Sequence, residues 1–465
     1  MSVNLSTAGN TTTGAITSTG LGSGLDINSI VTAVVNAAIQ PQQTRLQASQ
    51  ATDQSTISAL GTVKSTLASL QTAVNAITTG GALTQLSAQT SSSAVFTATA
   101  GSGAVAGTYQ VKVQTLAQAN TIQSTAFASA SAAVGTGPYA ITAGGKTFSV
   151  TLDSGNDTLS GLAAAINGAG DNSGVSATVI NATGGSYLLL SATQTGVANA
   201  VSVSSSAPVS FTTVQGAADA TGTIANLPFQ SGSNIVSNVL TGVSLNLVSA
   251  SPDTTQTLTV TANTQSAANA VQAFVSAYNA AVSLLGSATA YTPGSGSSAG
   301  GGTAGPLLGD VAISSLQFQL QAITGAGNSA GNGFTLLSQI GVSANADGTL
   351  AVNGAKLASA LQSNSAGVKS LFTGTGGIGT QLDTLLNNAV GAGGTIETET
   401  QSLQSQVDAM ASQLTALTAR QTQLTAQYYA QFNAMDRVVA GYKNTSSLLT
   451  QLYAPRPLNS SGSSG

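Results

Sequence analysis

The sequence predicts an α+β multidomain protein, with a long antiparallel helical coiled-coil stem formed by the N- and C-terminal regions and nested β-rich insertion domains forming a head. Two observations point there. Apolar residues recur in alternating steps of three and four near both ends of the chain, the mark of a helical seam. Between them run short segments of strictly alternating apolar and polar residues, broken by Gly-rich turns, the mark of half-buried strands.

In chain order, Asp26 is a suitable N-cap, and Ile27, Ile30, Val31, Val34 and Val35 lie on one face of a helix expected to stop near Pro41. So short a helix, rich in β-branched residues, is marginal without a partner surface. A second helical run carries Leu46, Ile57, Leu60, Val63, Leu67, Leu70, Val74 and Ile77 and ends at Gly80-Gly81.

Strands follow. Residues 107–114 alternate through Tyr109, Val111 and Val113, and 243–247 through Val243, Leu245 and Leu247, ahead of a turn at Pro252-Asp253 and a strand at 258–260. Residues 131–203 read as short strands turned at Gly144-Gly145 and Gly184-Gly185 around one helix at 159–166, an α+β module. Helices return at 267–285 and 311–323, separated by a Gly/Ser loop.

The C-terminal seam is the cleanest. Leu403, Val407, Met410, Leu414, Leu417, Gln421, Leu424, Tyr428, Gln431, Met435 and Val438 alternate fours and threes with no Pro or Gly between them. Gly441 is expected to end this run, with a last short helix through Leu448, Leu449 and Leu452. The coiled-coil seam is assigned to Ile57, Leu60, Leu67 and Val74 against Leu403, Val407, Met410, Leu414, Leu417 and Leu424. The outer segments, 27–39 and 428–452, are expected to keep apolar stripes with little to cover them.

Composition narrows the chemistry. Ten basic and fourteen acidic residues make 5% of 465, against about 25% in an ordinary domain, and His, Cys and Trp are absent. That excludes a Ser-His-Asp triad, a Cys nucleophile, a Cys/His zinc site and any disulfide. A net charge of −4 offers no basic stripe for a phosphate backbone, so no nucleic-acid partner is expected. Residues 1–19 lack the basic and apolar regions of a secretory signal peptide, and the most apolar early stretch, 30–39, is too short to span a bilayer.

The remaining motifs carry structural readings. The Gly-rich 20–24 precedes a helix but lacks the phosphate-loop Lys. Residues 343–348 resemble half a calcium loop, yet its twelfth position is Gly354 rather than Glu, so an Asp347-Gly348 turn fits better. Asp153 and Asp157 read as turn residues, and Glu397 and Glu399 as acids at a helix start. No catalytic residue, cofactor or metal ligand is expected, and the chain reads as no enzyme.

Several segments, in order, resemble the flagellar hook-associated protein 2 family, the flagellar filament cap proteins. These are GSGLDINSIV at 22–31, GTYQVKVQTLAQ at 107–118, DTL at 157–159, AIN at 165–167, GVSA at 174–177, LLLS at 188–191, FVSAYN at 274–279, GPLLGD at 305–310, IGV at 340–342, DGTL at 347–350, VKSLF at 368–372 and NTSSLLT at 444–450. The segments at 157–191 resemble a module shared with flagellins. The low charge and the Gly/Ser loop at 294–305 depart from the family.

The resemblance implies a ring-shaped homo-oligomer, usually a pentamer, at the distal tip of the bacterial flagellum, where it retains exported flagellin and promotes its folding and insertion. It implies legs at 1–41 and 428–465, a stem at 42–79 and 264–427, an inner β-rich head at 80–118 and 233–263, and an outer head at 119–232. The leg residues expected to meet flagellin are Ile27, Ile30, Val31, Val34, Val35, Tyr428, Phe432, Met435, Val438, Leu448, Leu449 and Leu452. Further implied partners are an export chaperone on the C-terminal helices and the flagellar type III export apparatus, with no membrane partner. A flagellin-like filament or junction subunit and a surface adhesin are the alternatives, and cap and adhesive roles can coexist.

Overall fold

The computed structural model describes residues 26–79, 81–294, 302–328, 333–374 and 376–454. The Gly-rich stretch 20–24, the tail 459–465 and positions 295–301 of the Gly/Ser loop lie outside them. The chain divides into two compact units, one gathering Met1–Ser69, Ala280–Leu320 and Thr384–Gly465, the other Leu70–Asn279 and Gln321–Asp383.

The chain opens on α1 (Ile27–Thr78), one helix that passes through Pro41 instead of stopping there. Pro41 and Ala37 both face solvent, so the carbonyl that Pro41 leaves without a donor is open to water. Asp26 is the N-cap: its carboxylate accepts Ser29 N at 3.1 Å and Ser29 Oγ at 2.6 Å. Those bonds hold its pKa below the ordinary carboxylate value.

A β-rich stretch follows: β1 (Leu86–Thr90), β2 (Phe96–Ala100), β3 (Gly107–Thr115), β4 (Ala119–Ser124), β5 (Gly137–Ala143), β6 (Lys146–Leu152), α2 (Leu159–Gly168), β7 (Val175–Ala182) and β8 (Gly185–Thr195). It continues through β9 (Ser202–Ser205), β10 (Phe211–Gln215), β11 (Ala220–Ile224), β12 (Leu227–Ser231), β13 (Ile235–Leu240), β14 (Val243–Leu247) and β15 (Gln256–Ala262). All pairings are antiparallel among the described strands.

Two cores form. A five-stranded sheet, β1-β15-β3-β11-β12, and a three-stranded sheet, β13-β14-β2, share Phe96, Val111, Val113, Leu245, Leu247 and Leu258. A four-stranded sheet, β10-β4-β8-β7, and a three-stranded sheet, β6-β5-β9, enclose α2 side chains Leu159 and Leu162 with Tyr139, Phe148, Leu188 and Leu190. The alternation read from 107–114 and 243–247 puts every second side chain into the first core. Strands β11 and β12, which the sequence placed in the outer head at 119–232, complete the inner sheet through pairs such as Gly222 with Val113.

The Gly144-Gly145 turn joins β5 to β6 with both residues at positive φ, 58° and 72°, as a two-residue hairpin of matching twist requires. The β11–β12 hairpin achieves the same with Ala225 and Asn226, at φ 48° and 66°.

The chain then forms α3 (Thr264–Thr289), a short pair β16 (Tyr291–Thr292) and β17 (Thr303–Ala304), α4 (Val311–Ala326), the hairpin β18 (Val342–Ala344) and β19 (Leu350–Val352), α5 (Gly354–Thr373), α6 (Ile378–Val390) and α7 (Thr395–Leu452). The β18–β19 loop is the Asp347-Gly348 turn, not a calcium loop: Gly348 has φ +82° and Asp347 Oδ1 accepts Thr349 N at 3.0 Å. Asn279 on α3 holds this hairpin, donating Nδ2 to Leu350 O at 2.8 Å and accepting Leu350 N at 2.7 Å. Thus FVSAYN and DGTL, separate in sequence, are joined by two hydrogen bonds.

At its end, α7 runs through Gly441 to Leu452, so no separate final helix exists. A Cβ at Gly441 would meet nothing, and Thr445 bonds its hydroxyl back to Gly441 O at 2.9 Å rather than capping a new turn.

Candidate functional site: the paired terminal helices

The helical unit is built on α1 and α7. The 58 residues of α7 extend about 87 Å at the usual helical rise. Ile27, Val31, Val35 and Ile39, on one stripe of α1, are buried together with Leu417, and Leu46, Leu424, Tyr428, Tyr429 and Phe432 pack around them. Farther along α1, Lys64 Nζ lies 3.5 Å from a Glu397 carboxylate oxygen. Residue numbers rise along α1 as they fall along α7, so the helices are antiparallel.

This register corrects the expected one. Leu417 meets the stripe at 27–39, not the run at 57–77, and 27–39 is covered rather than bare. Three of the leg residues, Ile27, Val31 and Val35, are therefore buried within the chain. Ile30 is half-buried and Val34 is exposed. Of the assigned seam, Leu60, Leu67, Val74, Val407 and Leu417 are buried, while Ile57, Leu403, Met410, Leu414 and Leu424 are half-buried.

Beyond Leu424 the heptad count and the packed face separate. The inward face passes through Tyr428 and Phe432, both half-buried, whereas Gln431 is exposed. The heptad itself continues outward as Met435, Val438, Tyr442, Leu449 and Leu452, which are 43, 57, 73, 53 and 78% exposed. Leu448 is also exposed. An α-helix drifts relative to a strict seven-residue repeat, so a straight helix cannot keep one stripe on one neighbour. From about Met435 onward α7 also runs past Ile27, where α1 begins, so the apolar strip on its last turns has no cover among the described residues. Gln421, the other polar seam position, is half-buried.

Sequence reasoning missed one electrostatic feature. Glu399, read as a helix-start acid, has its pKa raised to about 7, first by burial and then by the neighbouring Asp310 carboxyl. Nothing in the spacing of positions 310 and 399 announces such a pair. Among the described residues no group of three or more carboxylates could hold a metal ion, and no helix is long and apolar enough to cross a membrane.

Comparison with known proteins matches the chain along its length. A family model described as "Flagellar hook-associated protein 2 N-terminus" matches residues 23–120, one described as "Flagellar hook-associated protein 2 C-terminus" matches 217–444, and the "Flagellin hook IN motif" matches 140–194. That last stretch holds α2 and the strands around it. "Flagellar hook-associated protein 2" of Escherichia coli K12 is 32% identical over 464 residues, covering 94% of this chain and 98% of that protein. The "B-type flagellar hook-associated protein 2" of Pseudomonas aeruginosa PAO1 is 31% identical, covering 83% of this chain and 86% of that one. Among solved structures, the "flagellar cap protein FliD D1-D2-D3 domains from Escherichia coli" align with a TM-score of 0.61 at 30% identity, over 74% of this chain and 99% of that one.

Proposed function

This chain belongs to the flagellar hook-associated protein 2 family, and from that premise we propose that it caps the growing end of a bacterial flagellar filament. It works as a ring-shaped homo-oligomer, outside the cell, after passing through the flagellar type III export apparatus. Its β-rich modules form the head over the exit of the channel, and its terminal helices are the legs. Flagellin emerging beneath the ring is retained there, folds and enters the next vacant site.

The observation that supports the legs is the bare strip on α7. Burying Met435, Val438, Tyr442, Leu448, Leu449 and Leu452 against a partner helix contributes on the order of 5–10 kcal/mol before association costs are subtracted. Flagellin at the filament end is the proposed partner. Val34, exposed on α1, is a second apolar residue open to a partner, whereas Ile27, Val31 and Val35 are spent on packing within the chain. Before export, the same strip is the natural place for a dedicated chaperone to hold, since uncovered it invites self-association.

Electron microscopy of the purified full-length chain tests the reading against that of a flagellin-like subunit. Closed rings are expected. Long fibres at the same concentration would overturn it, because a cap interface must close.

A further inference from the structure

The two β cores share no buried side chain, and the chain crosses between them twice, at 116–118 and 216–219. Modules joined in that way move against each other unless something fixes their angle. The two crossings pair with each other: Gln118 N donates to Ala218 O at 2.8 Å, and Ala218 N donates to Gln118 O at 3.2 Å. Gly196 N, just after β8, reaches the same Gln118 carbonyl at 3.1 Å.

Beside this connector one carboxylate has a partner on each side. Asp219 Oδ1 accepts Val197 N, of the outer module, at 2.7 Å, and Oδ2 accepts Gln230 Nε2, of the inner sheet, at 2.7 Å. A carboxylate makes each bond stronger and more directional than a neutral acceptor would. Thr195 Oγ1 adds a bond to Gly232 O at 2.8 Å. The two backbones touch there: Gly196 has φ +99°, and a Cβ on it would lie 2.6 Å from Gly232 O. A Cβ on Gly232 would instead sit 4.0 Å from Gly196 Cα, an ordinary contact. Val197 and Gln230 are both exposed, so water replaces Asp219 on either of them at little cost. What the carboxylate adds is therefore a fixed angle between modules rather than the stability of either core.

We propose that Asp219 is a pin that fixes the outer β module at one angle on the inner sheets, with the Gly196–Gly232 backbone contact as its seat. With the pin in place the two modules move as one body. Without it both cores stay folded, and the outer module swings on the paired crossings.

The chain has no cysteine of its own, so two nitroxide labels can be placed uniquely in the full-length protein. Asp171→Cys in the outer module and Asp253→Cys in the inner one are both exposed. Distances between the labels are measured by double electron–electron resonance, with the labelled chain diluted in an excess of unlabelled chain. The otherwise unaltered protein should give one narrow distribution, and Asp219→Ala should widen it at least about twofold. Its melting temperature should stay within about 3 °C of the parent's. Asp219→Asn should restore the narrow distribution, because its Oδ1 still accepts Val197 N and its Nδ2 meets Gln230 once that amide turns over. Gly232→Ala should match the parent, whereas Gly196→Ala should widen or displace the distribution. An Asp219→Ala distribution as narrow as the parent's, or a parent distribution already as wide as the variant's, would overturn the proposal. So would widening that comes with loss of the outer module's melting transition, since Asp219 would then hold the fold and not the angle.

Discussion

Asn279 links two stretches of sequence that have no local reason to know of each other. Its side chain satisfies both backbone groups of Leu350, so Asn279→Ala leaves a buried strand position without donor and acceptor and should cost about 2–3 kcal/mol in chemical denaturation. The motif containing Asn279 was visible in the sequence, but its partner was not, because the two residues meet only once the fold exists. Ala225 was invisible for a different reason. A hairpin needs positive φ there, and Ala gives no turn signal, so nothing local announced that β11 and β12 pair. Ala225→Gly should relieve that strain and stabilise the β-rich unit by about 0.5–1 kcal/mol, net of the glycine entropy cost. A lowered midpoint would show that the Ala225 conformation carries no strain. At Asp26 the lowered pKa gives the N-cap full strength above the ordinary carboxylate value and weakens it as pH falls through the lowered one.

Among the elements, periodicity identified the terminal helices but misjudged their ends. Pro and Gly were read as stops, yet Pro41 and Gly441 both sit on solvent faces where a lost bond or a missing side chain is tolerated. Pro41→Ala should restore the hydrogen bond to Ala37 and raise the stability of α1 by about 1–3 kcal/mol. If circular dichroism melting shows no gain, α1 is already bent around that site. The heptad count also exceeded what one partner helix can use. Phe432, not Gln431, takes the inward position, so Phe432→Ala should destabilise the helical unit by about 2 kcal/mol while Gln431→Leu stays within about 0.5. The reverse ranking would restore the strict heptad register. Hydrogen exchange follows the same geometry: α1 amides near Val31 and Val35 should be protected in the isolated protein, and those near Leu449 and Leu452 should not. What periodicity could not reveal is which apolar stripe is covered, since burial depends on the register of a partner far away in the chain.

For the molecule as a whole, the nested order of helix, β-rich modules and helix was legible, because each class of element has its own period. The scarcity of charge was legible too. With ten basic and fourteen acidic residues in 465, the contacts of the proposed ring should be mainly apolar and hydrogen-bonded, and its assembly should weaken little between about 0.1 and 1 M salt. Rings that dissolve at moderate salt would mean that the few charges are concentrated at the interface. The chain is proposed to cap the filament through the uncovered strip of α7. Its most direct test is deletion of the gene from the parent bacterium, complemented with the unaltered chain or with a Val438→Glu, Leu449→Glu, Leu452→Glu variant, followed by electron microscopy of the cells and measurement of flagellin in the medium. Deletion should give bare cells that spill flagellin, the unaltered chain should restore filaments, and the variant should leave flagellin spilling. Normal filaments in the deletion strain would contradict it.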